Sequence, residues 1–271
     1  MDIVICGACG RMAGQVLRRA HEVEDLKITG AVDADNSPHL RQDIGEVLGI
    51  GAIGVTVTPS KELATILRTK KPDVVIDFTN PEASVANTVI AAENSVDIII
   101  GTTAISEAQK AKIDEAAKKA KIRAIIASNF SVCVNLFMKL AGEAAKTLKD
   151  YDIEVIEAHH RFKKDAPSGT AKTLAGVLLD ATGRTEKDLI YGREGLVGER
   201  KPNEIAIHSV RAGDIVGDHT VLFSTSGERM EIRHQAHSRD AFATGCLRAI
   251  RWLPKQNPGV YDMWDVLGLK D

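Results

Sequence analysis

The stretch Glu157-Ala158-His159-His160-Arg161-Phe162-Lys163-Lys164-Asp165-Ala166-Pro167-Ser168-Gly169-Thr170-Ala171 gathers more chemistry than any other part of the chain. Its histidines belong to the one side-chain type that changes charge near neutral pH, and Lys163 supplies a point charge or a proton. Ser168-Gly169-Thr170 opens a helical pattern. A helix start offers free N–H groups and the positive end of a dipole to an anion, here a carboxylate. His159 and His160 end a strand-like run. Neighbouring side chains on a strand point to opposite faces, so the two are poor joint ligands for one metal, and no metal site is expected. The same residues also fit a plainer reading, a solvated basic loop followed by an ordinary Ser/Thr helix cap.

A second candidate site lies at the start. A strand-like run over 2–6 enters Gly7-Ala8-Cys9-Gly10-Arg11-Met12-Ala13-Gly14, followed by an amphipathic helical pattern. Glycines there let the backbone turn sharply and approach a pyrophosphate at a helix N-terminus. The spacing is G-x-x-G-x-x-A rather than G-x-G-x-x-G, and a tight strand-to-helix turn without a ligand would use the same residues. Asp33 ends the next strand-like run, near the ~20-residue offset of a carboxylate that binds a ribose 2′-hydroxyl. Such a carboxylate repels a 2′-phosphate, and no basic residue follows at Ala34, Asp35 or Asn36. NADH is therefore the expected cofactor and NADPH a tolerated one, with Arg11 as a partial compensator. Asp77-Phe78-Thr79, Gly101-Thr102-Thr103 and Ala127-Ser128-Asn129-Phe130 follow further strand-like runs. Ligands collect at the carboxyl ends of parallel strands, so these loops read together as a cofactor crevice. Cys6 and Cys9 form a Cys-x-x-Cys across a strand-to-loop junction, with Cys133 and Cys246 single and distant. They read as small buried hydrophobes rather than as a redox or zinc motif.

The elements that must carry these residues follow from hydrophobic period. Val/Ile-rich runs at 2–6, 27–32, 73–78, 96–100 and 122–127 alternate with helical patterns at 11–22, 60–69, 82–93 and 106–120. Near-continuous apolar runs imply strands buried on both faces, hence a Rossmann-like, doubly wound parallel sheet. After Asn129 the order changes: a helix over 131–149, a strand over 151–158, a helix over 170–182, and a polar, glycine-rich segment over 184–203. Strand-like runs then follow at 204–210, 214–226 and 228–236, with a tight turn placed at Gly227-Glu228. Consecutive strands favour an antiparallel or mixed sheet in an α+β domain. Helical patterns at 240–253 and 259–267 complete the chain. The expected plan is a dinucleotide-binding domain over 1–130, with 240–271 packing back on it, and a substrate-binding and oligomerisation domain over 131–239.

Composition narrows the class. A chain of 271 residues fits about two domains, and 44% hydrophobic residues supply a core. A net charge of −2 lacks the basic excess of a nucleic-acid binder, and 4% aromatics leave little for base stacking. No apolar run reaches the ~18–20 residues of a membrane span. Met1-Asp2-Ile3-Val4-Ile5-Cys6 carries no basic leader, and four cysteines in so long a chain make no disulfide framework. A cytoplasmic α/β protein acting on a small molecule is expected.

The motifs together resemble the 4-hydroxy-tetrahydrodipicolinate reductase (dihydrodipicolinate reductase) family, NAD(P)H-dependent oxidoreductases of the diaminopimelate route to lysine. The resemblance rests on Gly7 to Met12, Gly101-Thr102-Thr103, Ser128-Asn129-Phe130-Ser131 and the 157–171 stretch. It extends through Arg193-Glu194-Gly195, Gly198-Glu199-Arg200, 210–217 and Gly227-Glu228-Arg229. Two departures stand out: Ala13, where the family usually has glycine, and Asp33, where many relatives carry glutamate followed by arginine. The second puts NADPH preference in doubt, not the reaction. The resemblance implies His159 as general acid/base and Lys163 as proton donor. It also implies that His160, Ser168, Gly169 and Thr170 hold the substrate carboxylates. The 7–12 loop, Asp33, 101–103 and 127–130 would hold the cofactor, and homotetramers built through the late strands are common in the family. Two other readings compete. An imine or amino-acid reductase of the same plan would leave Lys163 and Ser168-Gly169-Thr170 underused on a monocarboxylate. A nucleotide-sensing binding protein would need neither His159 nor Lys163.

Overall fold

Strands made of uninterrupted Val and Ile are stable only where both faces of a sheet are covered, and the first half of the chain builds such a sheet. The computed structural model describes residues 1–270. Its first elements are β1 (Asp2–Cys6), α1 (Arg11–His21), β2 (Lys27–Asp33), α2 (Ile44–Leu48), β3 (Val57–Pro59), α3 (Leu63–Lys70) and β4 (Val74–Asp77). They continue with α4 (Pro81–Glu93), β5 (Asp97–Ile100), α5 (Glu107–Ala120), β6 (Arg123–Ile126) and α6 (Val132–Thr147). Then come β7 (Asp152–His159), α7 (Gly169–Thr182), β8 (Leu189–Tyr191), β9 (Ile205–Arg211), β10 (Gly217–Thr225) and β11 (Glu228–Ala236). The described chain closes with α8 (Asp240–Trp252), β12 (Gly259–Tyr261) and α9 (Met263–Leu267).

Two compact units form, one from Met1–Val132 with Asp240–Asp271 and one from Cys133–Arg239. In the first, seven strands run in the order β12-β6-β5-β4-β1-β2-β3, and every pair is parallel. Chain order reverses between β1 and β4, the switch point where open parallel sheets place their ligands. Local signals agree with the elements. Asn80 caps α4 by accepting from Ala83 N at 2.9 Å, with Pro81 in its first turn. Ser106 and Gln109 form a capping box on α5. Helix α8 lies against the 127–130 turn so closely that a Cβ on Gly245 would meet the Phe130 carbonyl oxygen at 1.7 Å.

In the second unit the order is β11-β10-β7-β9-β8. The β11-β10-β7 pairs are antiparallel and the β7-β9-β8 pairs parallel, so the sheet is mixed. On β7 the side chains of Ile153, Val155, Glu157 and His159 are buried, while Ile156 between them is exposed. Period two thus divides the strand into a covered and an open face.

The segment 259–267, read from its pattern as helical, is divided. Gly259–Tyr261 pairs in parallel with β6 as the edge strand, and only Met263–Leu267 is helical. A short apolar run satisfies either period, and the free edge of β6 decides between them. Strands β3 and β8 are three residues each, too short to show alternation. The hairpin between β10 and β11 turns at Ser226-Gly227 rather than Gly227-Glu228. Gly227 takes φ 97°, and Glu228 already pairs with Thr225. No helix among the described residues is long and apolar enough to cross a membrane.

Candidate active site

At the end of β1 the backbone itself makes the first half-site. Gly7 holds φ 74°, and a Cβ there would meet the Phe78 carbonyl oxygen at 2.6 Å. A Cβ on Gly10 would meet the Gly7 oxygen at 2.9 Å. No side chain fits at Gly7, so the chain can press close to a ligand. Helix α1 begins at the next residue with no side-chain cap, leaving its first turn available to an anion. A cavity of about 580 Å³ opens beside the loop, lined in part by Gly7, Gly10, Asp33, Ser60, Lys61 and Phe78. A glycine cradle, an uncapped helix start and a cavity on one side of the sheet fit a dinucleotide. Asp33 is already engaged: its carboxylate accepts from Cys9 N at 2.8 Å and Ala34 N at 2.7 Å, so it fixes the loop while facing the cavity. Burial, then the Asp33 carboxylate, push the Cys9 thiol up to about 12, leaving it protonated.

The neighbouring strand ends are tied together by one buried carboxylate. Asp77 at the end of β4 is fully buried. Its Oδ1 accepts from Thr79 Oγ1 and Ser84 Oγ at 2.7 Å each and from Thr102 Oγ1 at 3.1 Å. Its Oδ2 accepts from Asn87 Nδ2 at 2.6 Å. All four donors are neutral, and together they hold the 78–80 and 101–103 loops beside each other.

In the second unit, four strands line up polar side chains on the covered face. Glu157 on β7 pairs across the sheet with His219 on β10, which pairs with His234 on β11. His159 pairs with Arg211 on β9. Glu157 is fully buried and His159 9% exposed. The Glu157 carboxylate is saturated: Oε2 takes His159 Nδ1 at 2.6 Å and Arg211 Nη1 at 2.9 Å. Oε1 takes Arg211 Nη2 at 2.8 Å and Ser168 N at 3.2 Å. Burial raises its pKa, but the hydrogen bonds from His159 and Arg211 override that and hold the carboxyl well below the usual range. His159 Nε2 lies 3.2 Å from where a Cβ on Gly217 would stand, so glycine leaves room beside it.

Ser168 caps α7, accepting from Ala171 N at 3.1 Å, and meets His219 Nε2 at 3.3 Å. His219 packs edge-on against His159 with ring centroids 5.3 Å apart. Burial, then the neighbouring His159, push its pKa down to about 4, so it is neutral at neutral pH. Lys163 pairs with Asp165 at 2.8 Å, and that ammonium holds the Asp165 carboxyl below its usual range. Among the described residues, four buried side-chain atoms lack a partner: His160 Nδ1, Arg211 Nε, His219 Nδ1 and His234 Nδ1. All four belong to this unit.

The residues singled out from sequence fall into groups. Gly7, Gly10 and Asp33 line the first-unit cavity. Arg11 and Thr103 are exposed, and Met12 and Gly101 half-buried. Ala8, Ala127 and Phe130 are core side chains, so they can offer a ligand only backbone. Thr102 is turned into the Asp77 network, and Asn129 accepts from Ser131 N at 2.9 Å. Ser128 is exposed. His159 and Ser168 meet through Glu157, with Gly169 and Thr170 following in the first turn of α7. The sequence reading missed Lys61, Asp77 as an organiser, Glu157, Arg211 and His219. Glu157 alone carried a signal, standing two residues before His159 on one strand and hence on one face. Among the described residues no group of His, Cys, Asp or Glu is arranged to hold a metal ion.

Comparison with known proteins places these halves. The family described as dihydrodipicolinate reductase, N-terminus matches residues 1–130, and its C-terminus counterpart matches 133–267. The 4-hydroxy-tetrahydrodipicolinate reductase of Methanocaldococcus jannaschii is 46% identical over 271 residues, covering 100% of this chain and 98% of its own. That of Methanosarcina barkeri is 48% identical over 269 residues, covering 99% and 100%. Among solved structures, a dipicolinate-bound dihydrodipicolinate reductase from a Paenisporosarcina species superposes with a TM-score of 0.78 at 25% identity, covering 98% of each chain. An amine dehydrogenase from Mycobacterium smegmatis shares the fold at a TM-score of 0.62 and 16% identity, covering 96% of this chain and 94% of its own.

Proposed function

The chain belongs to the dihydrodipicolinate reductase family, and on that premise we propose how its two units divide the reduction of 4-hydroxy-tetrahydrodipicolinate by a nicotinamide nucleotide. The same relationships favour this reading over a general imine or amino-acid reductase. The first unit holds the nucleotide: the 7–12 loop cradles the pyrophosphate, Asp33 takes the ribose, and the 101–103 and 127–130 loops flank the rest. Asp33 favours NADH. Lys61, on the same cavity, supplies a positive charge that lets NADPH be tolerated.

The second unit holds the substrate, a cyclic imine with two carboxylates. His160, Ser168, Gly169 and Thr170 anchor those carboxylates at the start of α7, and two anchors fix the ring's orientation, a large share of catalysis. When bound, reduced nicotinamide supplies hydride to C4 of the dehydrated ring. The electron pair then carried by the substrate's conjugated enamine takes up a proton. Lys163 donates it and His159 serves as general acid/base through Nε2, the end that faces away from Glu157. The observation that carries this reading is the 2.6 Å bond from His159 Nδ1 to a fully buried carboxylate, which orients one ring nitrogen and leaves the other for chemistry. We further assign the open face of the five-stranded sheet, with exposed Ile156 and Val210, to assembly of a homotetramer in the cytoplasm. No nucleic-acid or membrane partner is invoked. Light scattering that returned a monomer mass would remove the assembly.

Nicotinamide oxidation followed at 340 nm with freshly generated substrate tests the roles. His159→Gln and Lys163→Ala are each expected to lose about 10²–10⁴ in kcat, with nucleotide affinity unchanged by fluorescence titration. Full turnover in either variant would strike that residue from the mechanism.

A further inference from the structure

We propose that Glu157 and Arg211 act as a matched pair that sets how firmly His159 holds its proton, the carboxylate strengthening the hold and the guanidinium weakening it. The inference rests on the reading of His159 as the acid/base. Its ground is geometric. His159 Nδ1 and Arg211 Nη1 bond the same oxygen, Glu157 Oε2, at 2.6 and 2.9 Å. Arg211 also takes the other oxygen at 2.8 Å, a bidentate fork on a carboxylate that is fully buried. The guanidinium is braced by its own donations to the Val210 and Asp165 carbonyls, at 2.7 Å each. These positions come from adjacent strands in register, His159 opposite Arg211, and not from flexible loops.

The electrostatics follow from the arrangement. A buried carboxylate alone beside an imidazole would keep it protonated. An acid that must give up and regain a proton each turnover is then poorly served. A cation on the same oxygen draws off part of that negative potential, and the fixed Nδ1 contact keeps the ring oriented whichever state it is in. On β10 and β11, His219 is neutral at neutral pH through burial and His159, and burial lowers His234. On α7, Ser168 contributes a backbone N–H to Glu157. In the intervening loop the Lys163 charge is paired with Asp165. Arg211 is therefore the cation paired with Glu157 on the very oxygen that takes His159 Nδ1.

The pair makes an uncommon prediction: two substitutions in one ion pair move a third group in opposite directions. The experiment is a ¹⁵N-imidazole titration of the full-length protein, with His159→Gln used to assign the resonance, run beside pH profiles of kcat/KM. Arg211→Met is expected to move the His159 titration midpoint up by about one pH unit, and Glu157→Gln to move it down by about one. Arg211→Lys, which keeps the charge but not the fork, should return most of the Met displacement. Both variants moving the same way, or neither moving, would overturn the proposal. If Glu157→Gln fails to fold by circular dichroism, the Met and Lys variants decide the matter through the upward shift and its reversal. Midpoints that move as stated while the turnover profiles stay still would support the pair and instead remove His159 from the acid/base role.

Discussion

Each unit buries a carboxylate on a strand, Asp77 on β4 and Glu157 on β7, and each answers it differently. Asp77 is met by hydroxyls and an amide, from Thr79, Ser84, Thr102 and Asn87. Glu157 is met by a guanidinium and an imidazole. Neutral donors satisfy a buried anion without any partner that titrates, so the Asp77 network ties the loops together through fixed hydrogen bonds. The second network is built instead on ionisable partners: the carboxylate that takes His159 Nδ1 also takes the Arg211 guanidinium. The first unit's buried carboxylate thus meets only neutral donors, whereas the second unit's meets partners that can carry charge besides one backbone N–H.

The largest expected effect tests packing in the first unit. Gly245→Ala would force a Cβ against the Phe130 carbonyl at 1.7 Å, and a loss above about 4 kcal/mol is expected. Circular dichroism and urea denaturation would report it, and a stable variant would mean the α8 contact is looser than described. Asp77→Ala should follow, at roughly 3 kcal/mol or more, since several buried donors lose their acceptor together. Its nucleotide KM should rise while the pH profile of turnover keeps its shape. A shifted profile would erase the distinction between the two carboxylates.

The second unit makes a pH prediction of its own. Burial, then His159, push His219 down to about 4 in the folded protein, against about 6.5 unfolded. The unfolded chain therefore binds the proton first. Stability is complete above the unfolded value and falls as pH drops toward the folded one, by roughly 3 kcal/mol from this residue. His219→Phe should flatten that fall in urea midpoints measured between neutral pH and pH about 4; an unchanged slope would locate the acid sensitivity elsewhere. A smaller effect is expected at Asp33. Asn keeps an acceptor for Cys9 N–H and removes the charge, so the NADPH to NADH ratio of kcat/KM should rise about tenfold, or ~1.4 kcal/mol. Smallest is Lys118→Ala, which breaks an exposed pair with Asp114 at 2.7 Å and should change stability by no more than about 0.5 kcal/mol in the same denaturation assay.

Much of this was legible along the chain because it depends on neighbours in sequence. Glycine spacing at 7–14, the Val/Ile runs and the Ser168 cap are local statements about φ, burial period and helix ends, and alternating strands and helices imply a parallel sheet by general rules of connection. The strands of three residues and the 259–261 edge were not legible, because so short a run shows no period until a free strand edge selects it. Lys61 was missed for a related reason: β2 and β3 pair in parallel, and that pairing brings the residues after each strand to one cavity. Arg211 stands 54 residues from Glu157, with nothing between to mark the pairing.

The sequence by itself determined the fold class, the glycine turn after β1 and the family, since each is written in residue type and near spacing. Only the tertiary structure decided which charges share an atom. Electrostatic coupling falls off over a few ångströms through space, and strand register, not sequence separation, set that distance between Arg211, Glu157 and His159.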